Sequence, residues 1–126
     1  MARILVVDDD ITSLELAALV CEQDGHDVIR AEDGRVAMRD LRIHEVDLVL
    51  TDIMMPDIDG FSVVQLARQL QPGIKVIVVS AIGDRVPQDM TTMAFDKLGV
   101  DRVITKPYRP HMLIKAIREL LSGGSA

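Results

Sequence analysis

The fold is decided by the stretch Ile4-Leu5-Val6-Val7-Asp8-Asp9-Asp10, in which four aliphatic residues run directly into three carboxylates. Other runs of the same kind follow along the chain, at Leu48–Leu50, Ile74–Val79, Val103–Ile104 and, more weakly, Asp27–Ala31. Aliphatic runs without polar alternation are typical of strands that are covered on both faces, as in a parallel sheet. The sequence therefore predicts five strands.

Stretches with helical spacing separate these strands. Their apolar positions recur at intervals of three and four residues, and they are Leu14, Ala17, Ala18 and Cys21; Ala37 and Leu41; Val63, Ala67 and Leu70; Met90, Met93, Ala94 and Leu98; and Leu113, Ala116, Ile117 and Leu120. Thr12 and Glu15 predict a capping box at the start of the first helix. Five alternating strands and helices with right-handed crossovers predict an α/β fold, a doubly wound parallel sheet of the (βα)5 type.

Composition limits the possible functions. The chain has 126 residues and a formal net charge of −6, which suits one globular domain and argues against nucleic acid or an anionic membrane as a direct partner. No apolar run reaches the ~18 residues that span a bilayer, and no secretory signal is recognisable. The lone Cys21 excludes an internal disulfide. We expect a cytoplasmic domain over residues 1–121 and a flexible tail over 122–126.

Polar side chains follow the predicted strands. Asp8–Asp10 follows the first, Asp52 the third, Ser80 the fourth and Lys106 the fifth. Because parallel strands end at one edge of a sheet, we expect these groups to meet there. Crowded carboxylates need a counter-charge, and hard oxygen ligands suit Mg²⁺ or Mn²⁺. A divalent ion beside a lysine suits a phosphoryl group, for which a carboxylate is a possible acceptor.

The whole pattern resembles the receiver domain of response regulators, the chemotaxis-regulator type with a flavodoxin-like fold. The segments that carry the resemblance are Ile4–Asp10, Asp47–Gly60, Val76–Ala81 and Thr105–Tyr108. The resemblance implies a phosphoacceptor of a two-component or phosphorelay system, which is not an enzyme beyond slow self-phosphorylation and self-dephosphorylation. Its partners would be a histidine kinase or a histidine phosphotransfer protein, and an unidentified downstream protein or effector domain.

The resemblance also assigns roles to residues. Asp52 would be phosphorylated, and Ser80 and Lys106 would bind the phosphoryl group, with a Lys106–Pro107 bond that is commonly cis. Phosphorylation would then change the output face made by the fourth helix, the fifth strand and the fifth helix. The implied Mg²⁺ ligands, for which Mn²⁺ can substitute, are Asp8 (mostly through water), Asp9, Asp52 and the backbone carbonyl of Met54.

Three features depart from the family pattern or refine it. Val103 stands where the family often has an aromatic residue, so output cannot depend on the rotation of a ring there. The chain between Ser80 and Lys106 is about four residues longer than the family spacing, and we place the surplus in a flexible loop at residues 82–88. Met54 and Ile82 cannot orient a water molecule, which predicts slow self-dephosphorylation.

Two other functions remain open from the sequence. Asp8-Asp9-Asp10-Ile11-Thr12 matches the DxDxT motif of haloacid-dehalogenase-type phosphatases, with Asp8 as nucleophile. That family needs acidic metal ligands after its lysine, however, and residues 107–126 contain no Asp. The other alternative is a degenerate receiver that acts only as an interaction module, and failure to bind Mg²⁺ or beryllofluoride would favour it.

Overall fold

The computed structural model describes residues 2–53, 60–80 and 99–122. Within these ranges the chain forms one parallel sheet in the order β2-β1-β3-β4-β5. The strands are β1 (Arg3–Val7), β2 (Asp27–Ala31), β3 (Leu48–Thr51), β4 (Lys75–Ser80) and β5 (Arg102–Thr105). All five predicted strands are confirmed, and so is the flavodoxin-like fold class.

Helices connect the strands. They are α1 (Ile11–Gln23), α2 (Gly34–Ile43), α3 (Gly60–Leu70) and α4 (Pro110–Leu121), the last of which is the fifth helix of the sequence prediction. The fourth predicted helix, with Met90 to Leu98, lies outside the described residues, as does the predicted tail beyond Ser122. No helix in the described part of the chain combines the length and apolarity that crossing a bilayer requires.

The sheet separates two hydrophobic layers. Successive strand residues point to opposite faces, so Leu5 and Val7 pack with α2 and α3, whereas Ile4 and Val6 pack with α1 and α4. Burial on both faces explains the continuous aliphatic runs. Two described residues depart from the predicted burial, because Leu70 at the end of α3 is 45% exposed and Val103 on the edge strand β5 is 47% exposed.

The start of α1 differs from the prediction. The N-cap is Asp10, whose Oδ1 accepts a hydrogen bond from the Thr12 backbone N–H at 3.1 Å. The predicted capping box is therefore wrong, and the Glu15 carboxylate instead accepts a hydrogen bond from Arg30 Nε at 2.8 Å. An Asp is as good an N-cap as a Thr, so the acidic run that ends β1 also begins the helix.

Candidate functional site

Strand register brings the predicted site residues to one edge of the sheet. Val7 pairs with Thr51, so Asp8 and Asp52 leave neighbouring strands at the same level, and the Asp52 backbone N–H donates to the Val7 carbonyl at 3.0 Å. On the other side, Thr105 of β5 pairs with Ser80 of β4. The edge lies at the carboxyl ends of β1 and β3, where the chain reverses its direction of winding and ligands bind in folds of this class.

Lys106 joins the two carboxylates. Its Nζ lies 2.8 Å from Asp8 Oδ2 and 2.9 Å from Asp52 Oδ2. The Asp8 and Asp52 side chains keep only 8% and 12% of their surface exposed, and that of Lys106 keeps 22%. The Lys106–Pro107 peptide bond is cis, as the resemblance implied. The structure therefore brings together groups that are 98 and 54 residues apart in sequence.

Asp9 completes a cluster of three carboxylates. One oxygen each from Asp8, Asp9 and Asp52 lies within 4.8 Å of the other two. Three carboxylates beside one ammonium leave an excess of two negative charges, which is the charge of one divalent cation. An all-oxygen donor set without His or Cys fits Mg²⁺ or Mn²⁺, so the residues present suit the ion that the sequence predicts.

Burial and hydrogen bonding shift the pKa values of Asp8 and Lys106. Burial raises the pKa of Asp8, and hydrogen bonds from Lys106 and from the Asp10 N–H oppose that rise without cancelling it. Burial by itself would lower the pKa of Lys106, but hydrogen bonds to Asp8 and Asp52 outweigh it and raise that pKa. The folded protein thus favours the charged form of Lys106 and disfavours the charged form of Asp8.

Thr51 and Gly60 both contact the backbone of Asp52. The Thr51 hydroxyl is buried and donates to the Asp52 carbonyl at 2.8 Å. A Cβ on Gly60 would lie 2.2 Å from the Asp52 carbonyl oxygen and 2.7 Å from Ile53 Cα, so only glycine allows α3 to begin against this segment. The sequence contains no signal for this contact between Gly60 and the Asp52 backbone, because the two residues are eight positions apart and no periodicity links them.

A cleft of about 410 Å³ lies beside Lys106. It is lined by Ser13, Leu16, Lys106, Pro107 and Tyr108. Burial raises the pKa of the Tyr108 phenol, so this side chain stays protonated and supplies an apolar wall with a hydroxyl. The sequence analysis did not predict the cleft, since Ser13 and Leu16 carry no signal of their own.

Several sequence predictions concern residues that the structure does not describe. Met54, Ile82 and the 82–88 loop lie outside the described ranges, and of Ser80 only its place at the end of β4 is described. The predicted roles of these residues therefore stay predictions. Val103 is described and is 47% exposed on β5, and its predicted effect on output also stays a prediction.

Comparison with known proteins identifies a family. The family model for the response regulator receiver domain matches residues 4–118. Protein PilH of Pseudomonas aeruginosa is 34% identical over 124 residues, which cover 98% of this chain and 100% of PilH. The probable transcriptional regulator ycf27 of Cyanophora paradoxa is 35% identical over 119 residues, which cover 94% of this chain and 48% of that protein. The chain spans about half or less of the length of several curated relatives, and 26% of the transcriptional regulatory protein GlrR of Escherichia coli.

Solved structures agree with this match. A CheY-like response regulator receiver domain protein from Methanospirillum hungatei superposes with a TM-score of 0.89 at 29% identity, covering 98% of this chain and 95% of that chain. The response regulator TrrA from Thermotoga maritima, in complex with Mg(2+)-BeF, superposes with a TM-score of 0.80 at 28% identity, covering 95% of this chain and 99% of that chain.

Proposed function

The chain belongs to the response regulator receiver domain family, whose members are signalling phosphoacceptors of two-component systems and not catalytic enzymes, and from this premise we propose that Asp52 is its phosphoacceptor. The observation that carries the proposal is the bridge from Lys106 Nζ to Asp8 and Asp52 at the edge of the sheet. The haloacid-dehalogenase-type alternative, which used Asp8 as nucleophile with Ser80 and Lys106 as its second and third motifs, is disfavoured by the family match and gives Asp52 no role.

The proposed reaction transfers a phosphoryl group to Asp52. A carboxylate oxygen attacks the phosphorus of a phosphohistidine, the P–N bond breaks, and the imidazole nitrogen leaves and takes up a proton. The product is an acyl phosphate on Asp52. Lys106 Nζ, which lies 2.9 Å from Asp52 Oδ2, is placed to hold a phosphoryl oxygen, and the Ser80 hydroxyl is the second group that we assign to it.

Metal binding is part of the proposal. Family members bind Mg²⁺ at an acidic site, and Asp8, Asp9 and Asp52 would hold it here, with the Met54 carbonyl as a further ligand. When bound, the ion offsets the negative charge that builds up on the phosphoryl oxygens during transfer. Asp8 also accepts hydrogen bonds from Lys106 and from the Asp10 N–H at 3.0 Å, which fixes the orientation of its carboxylate.

Phosphorylation would act as a switch because it converts the singly charged Asp52 carboxylate into an acyl phosphate with about two negative charges and three phosphoryl oxygens at one point. Ser80 and Lys106 satisfy these oxygens only by moving or tightening, which would alter the face formed by the fourth predicted helix, β5 and α4. Val103 on β5 is 47% exposed and carries no ring. The output of this chain is therefore transmitted by other groups, such as the backbone or Tyr108.

The partners follow from the family. We propose a cytoplasmic domain over residues 1–121 that receives its phosphoryl group from a histidine kinase or a histidine phosphotransfer protein and passes the signal to a downstream protein or effector domain. Stretches similar to this chain occur both in a response regulator, GtcR of Aneurinibacillus migulanus, and in 17% of the length of a sensor kinase/phosphatase, CqsS of Vibrio cholerae.

Chemical mapping tests the proposal. The protein is incubated with acetyl phosphate and Mg²⁺, the acyl phosphate is reduced with borohydride, and peptide mass spectrometry locates the resulting homoserine. We expect it at residue 52 and expect Asp52→Asn to abolish it. A label at Asp8 would revive the phosphatase alternative, and no label together with no binding of beryllofluoride would identify a degenerate receiver. The decay rate of the same label tests the slow self-dephosphorylation that Met54 and Ile82 predict.

A further inference from the structure

Helix α2 carries a row of three arginines on its outer face. Arg35, Arg39 and Arg42 follow i, i+4, i+7, and all three are exposed. Ala37 and Leu41 on the opposite side are buried in the layer between the sheet and α3. With a rise of 1.5 Å per residue the row is about 10 Å long. This arginine row is a patch of positive charge on a chain whose net charge is −6.

The arginine row has little compensation within the chain. Arg39 lies 3.6 Å from the buried carboxylate of Asp40, and in the part of the chain that the structure describes neither Arg35 nor Arg42 forms an ion pair or hydrogen bond. Like charges three or four residues apart destabilise a helix. Arg35 also lies in the first turn of α2, which has no acidic residue, where the helix dipole disfavours a cation. Each of these two effects costs an exposed helix about 0.2–1 kcal/mol.

A groove with a mixed lining continues from the end of the arginine row. Its volume is about 460 Å³, and its apolar side chains are Leu41, Ile43 and Leu70, of which Ile43 and Leu70 are 64% and 45% exposed. Arg42, His44, Glu45 and Gln71 form the rest of the lining. Gln71 holds the groove in shape, since its Nε2 donates to the Leu41 and His44 carbonyls at 3.2 and 3.0 Å. Its Oε1 accepts the Val46 N–H at 2.8 Å. The groove therefore has a fixed floor between the ends of α2 and α3.

We propose that the arginine row and the adjoining groove bind an acidic helical segment of a partner protein, with carboxylates at i, i+4 and i+7 and a leucine or isoleucine one turn beyond them. Guanidinium groups pair with carboxylates in a planar, bidentate geometry that lysine does not offer. A helix that lies along α2 matches its spacing, and an apolar side chain at its end fits the groove. A membrane or a nucleic acid is less suited, because its extended negative charge is repelled by the remaining surface of an acidic chain.

This surface is separate from the phosphoacceptor site. It lies on the layer of the sheet that holds α2 and α3, whereas α1 and α4 cover the other layer. The proposal therefore does not rest on the phosphorylation of Asp52, and it can be tested in the unphosphorylated protein.

Calorimetric titration with a designed peptide tests the proposal. The probe is a short alanine-based helix with three glutamates at i, i+4 and i+7 and a leucine one turn beyond each end, and the control peptide has the same composition with the glutamates spread around the helix. We expect the probe to bind about tenfold or more tightly than the control and to weaken with added salt. The triple variant Arg35→Gln, Arg39→Gln, Arg42→Gln should lose this preference.

A matched variant removes three exposed cations elsewhere: Arg3→Gln, Arg109→Gln and Lys115→Gln. It should bind the probe within about twofold of the unmodified protein, because net charge alone does not create the preference. Equal affinity for both peptides, or equal losses in the two triple variants, would overturn the proposal. Tighter binding to phosphatidylglycerol vesicles than to the probe would overturn it in favour of a membrane. Thermal unfolding of each variant confirms that its fold is intact.

Discussion

Replacing Lys106 with methionine should destabilise the metal-free protein by about 2–3 kcal/mol at neutral pH. Removing one partner of a buried ion pair costs ~3–5 kcal/mol, because a charge is left buried without compensation. Here the ammonium is shared by Asp8 and Asp52 at 2.8 and 2.9 Å, and both carboxylates are nearly buried. Lys106 keeps 22% of its side chain exposed, so solvent screening lowers the expected cost.

Mg²⁺ should reduce the difference in stability between the Lys106→Met variant and the unmodified protein. Without Lys106 the cluster has three negative charges and no positive one, so a divalent cation is bound more tightly by the variant than by the unmodified protein. A tenfold gain in affinity corresponds to about 1.4 kcal/mol of extra stabilisation at saturating Mg²⁺. Urea unfolding with EDTA and with MgCl₂ measures both effects. Lys115→Met, at an exposed position on α4, is the control and should change stability by less than about 0.5 kcal/mol.

The pKa of Lys106 determines how the stability difference between the Lys106→Met variant and the unmodified protein depends on pH. Because the folded protein raises that pKa above its ordinary value of 10.5, the stabilisation by Lys106 is fully present below pH 10.5 and is lost as pH rises through the folded pKa. The difference between the two proteins should therefore be constant from neutral pH to about 10.5 and shrink above it. Equal stability of the two proteins in EDTA, or an equal response to Mg²⁺, would refute the charge balance described here.

Three further predictions concern stability and reactivity. Gly60→Ala should lower the free energy of unfolding in urea by about 2–3 kcal/mol, because the added Cβ would collide with the Asp52 carbonyl. Gly73→Ala is the control and should be nearly neutral, since a Cβ there has no atom within 4 Å. Similar losses in the two variants would contradict the close approach at Gly60. Burial raises the pKa of the Cys21 thiol to about 12, so a thiol reagent at mildly alkaline pH should react only after unfolding, and rapid labelling of the native protein would show the opposite. Arg35→Glu should stabilise the folded protein by about 0.5–1 kcal/mol, because it removes charge repulsion along α2 and places a negative charge at the positive end of the helix dipole. A lower melting temperature would show that the arginine row does not destabilise α2.

The strands and the acidic site could be predicted because both follow from local sequence and a topological rule. A strand buried on both faces has to be aliphatic throughout, so Ile4–Val7 and Ile74–Val79 were recognisable without any knowledge of their neighbours. The carboxyl ends of parallel strands share one edge, which brings Asp8, Asp52 and Lys106 together whatever the intervening loops do. The resemblance to receiver domains then added roles that the residues alone left open.

What could not be predicted depends on competition or on distance. Asp10 and Thr12 are both good N-caps, and the sequence does not show that the acidic run would supply the cap. Arg30 bridges Glu15 and Glu22, which belong to a different element, and no periodicity links them. The close approach of Gly60 to the Asp52 carbonyl likewise joins residues that no sequence pattern links. In each case the contact depends on which residues the fold brings together, and the sequence offers several residues of the same chemical type that could have made it.

Two places in the described structure keep an electrostatic cost that ordinary packing would remove. At the edge of the sheet, three carboxylates cluster beside Lys106, which pairs with two of them, and burial raises the pKa of Asp8. On α2, three arginines lie in a row that has almost no acidic partner within the described chain. Local violations of this kind are expected where a protein meets a ligand. We propose a divalent cation and a phosphoryl group as the ligands of the first site, and an acidic segment of a partner protein as the ligand of the second.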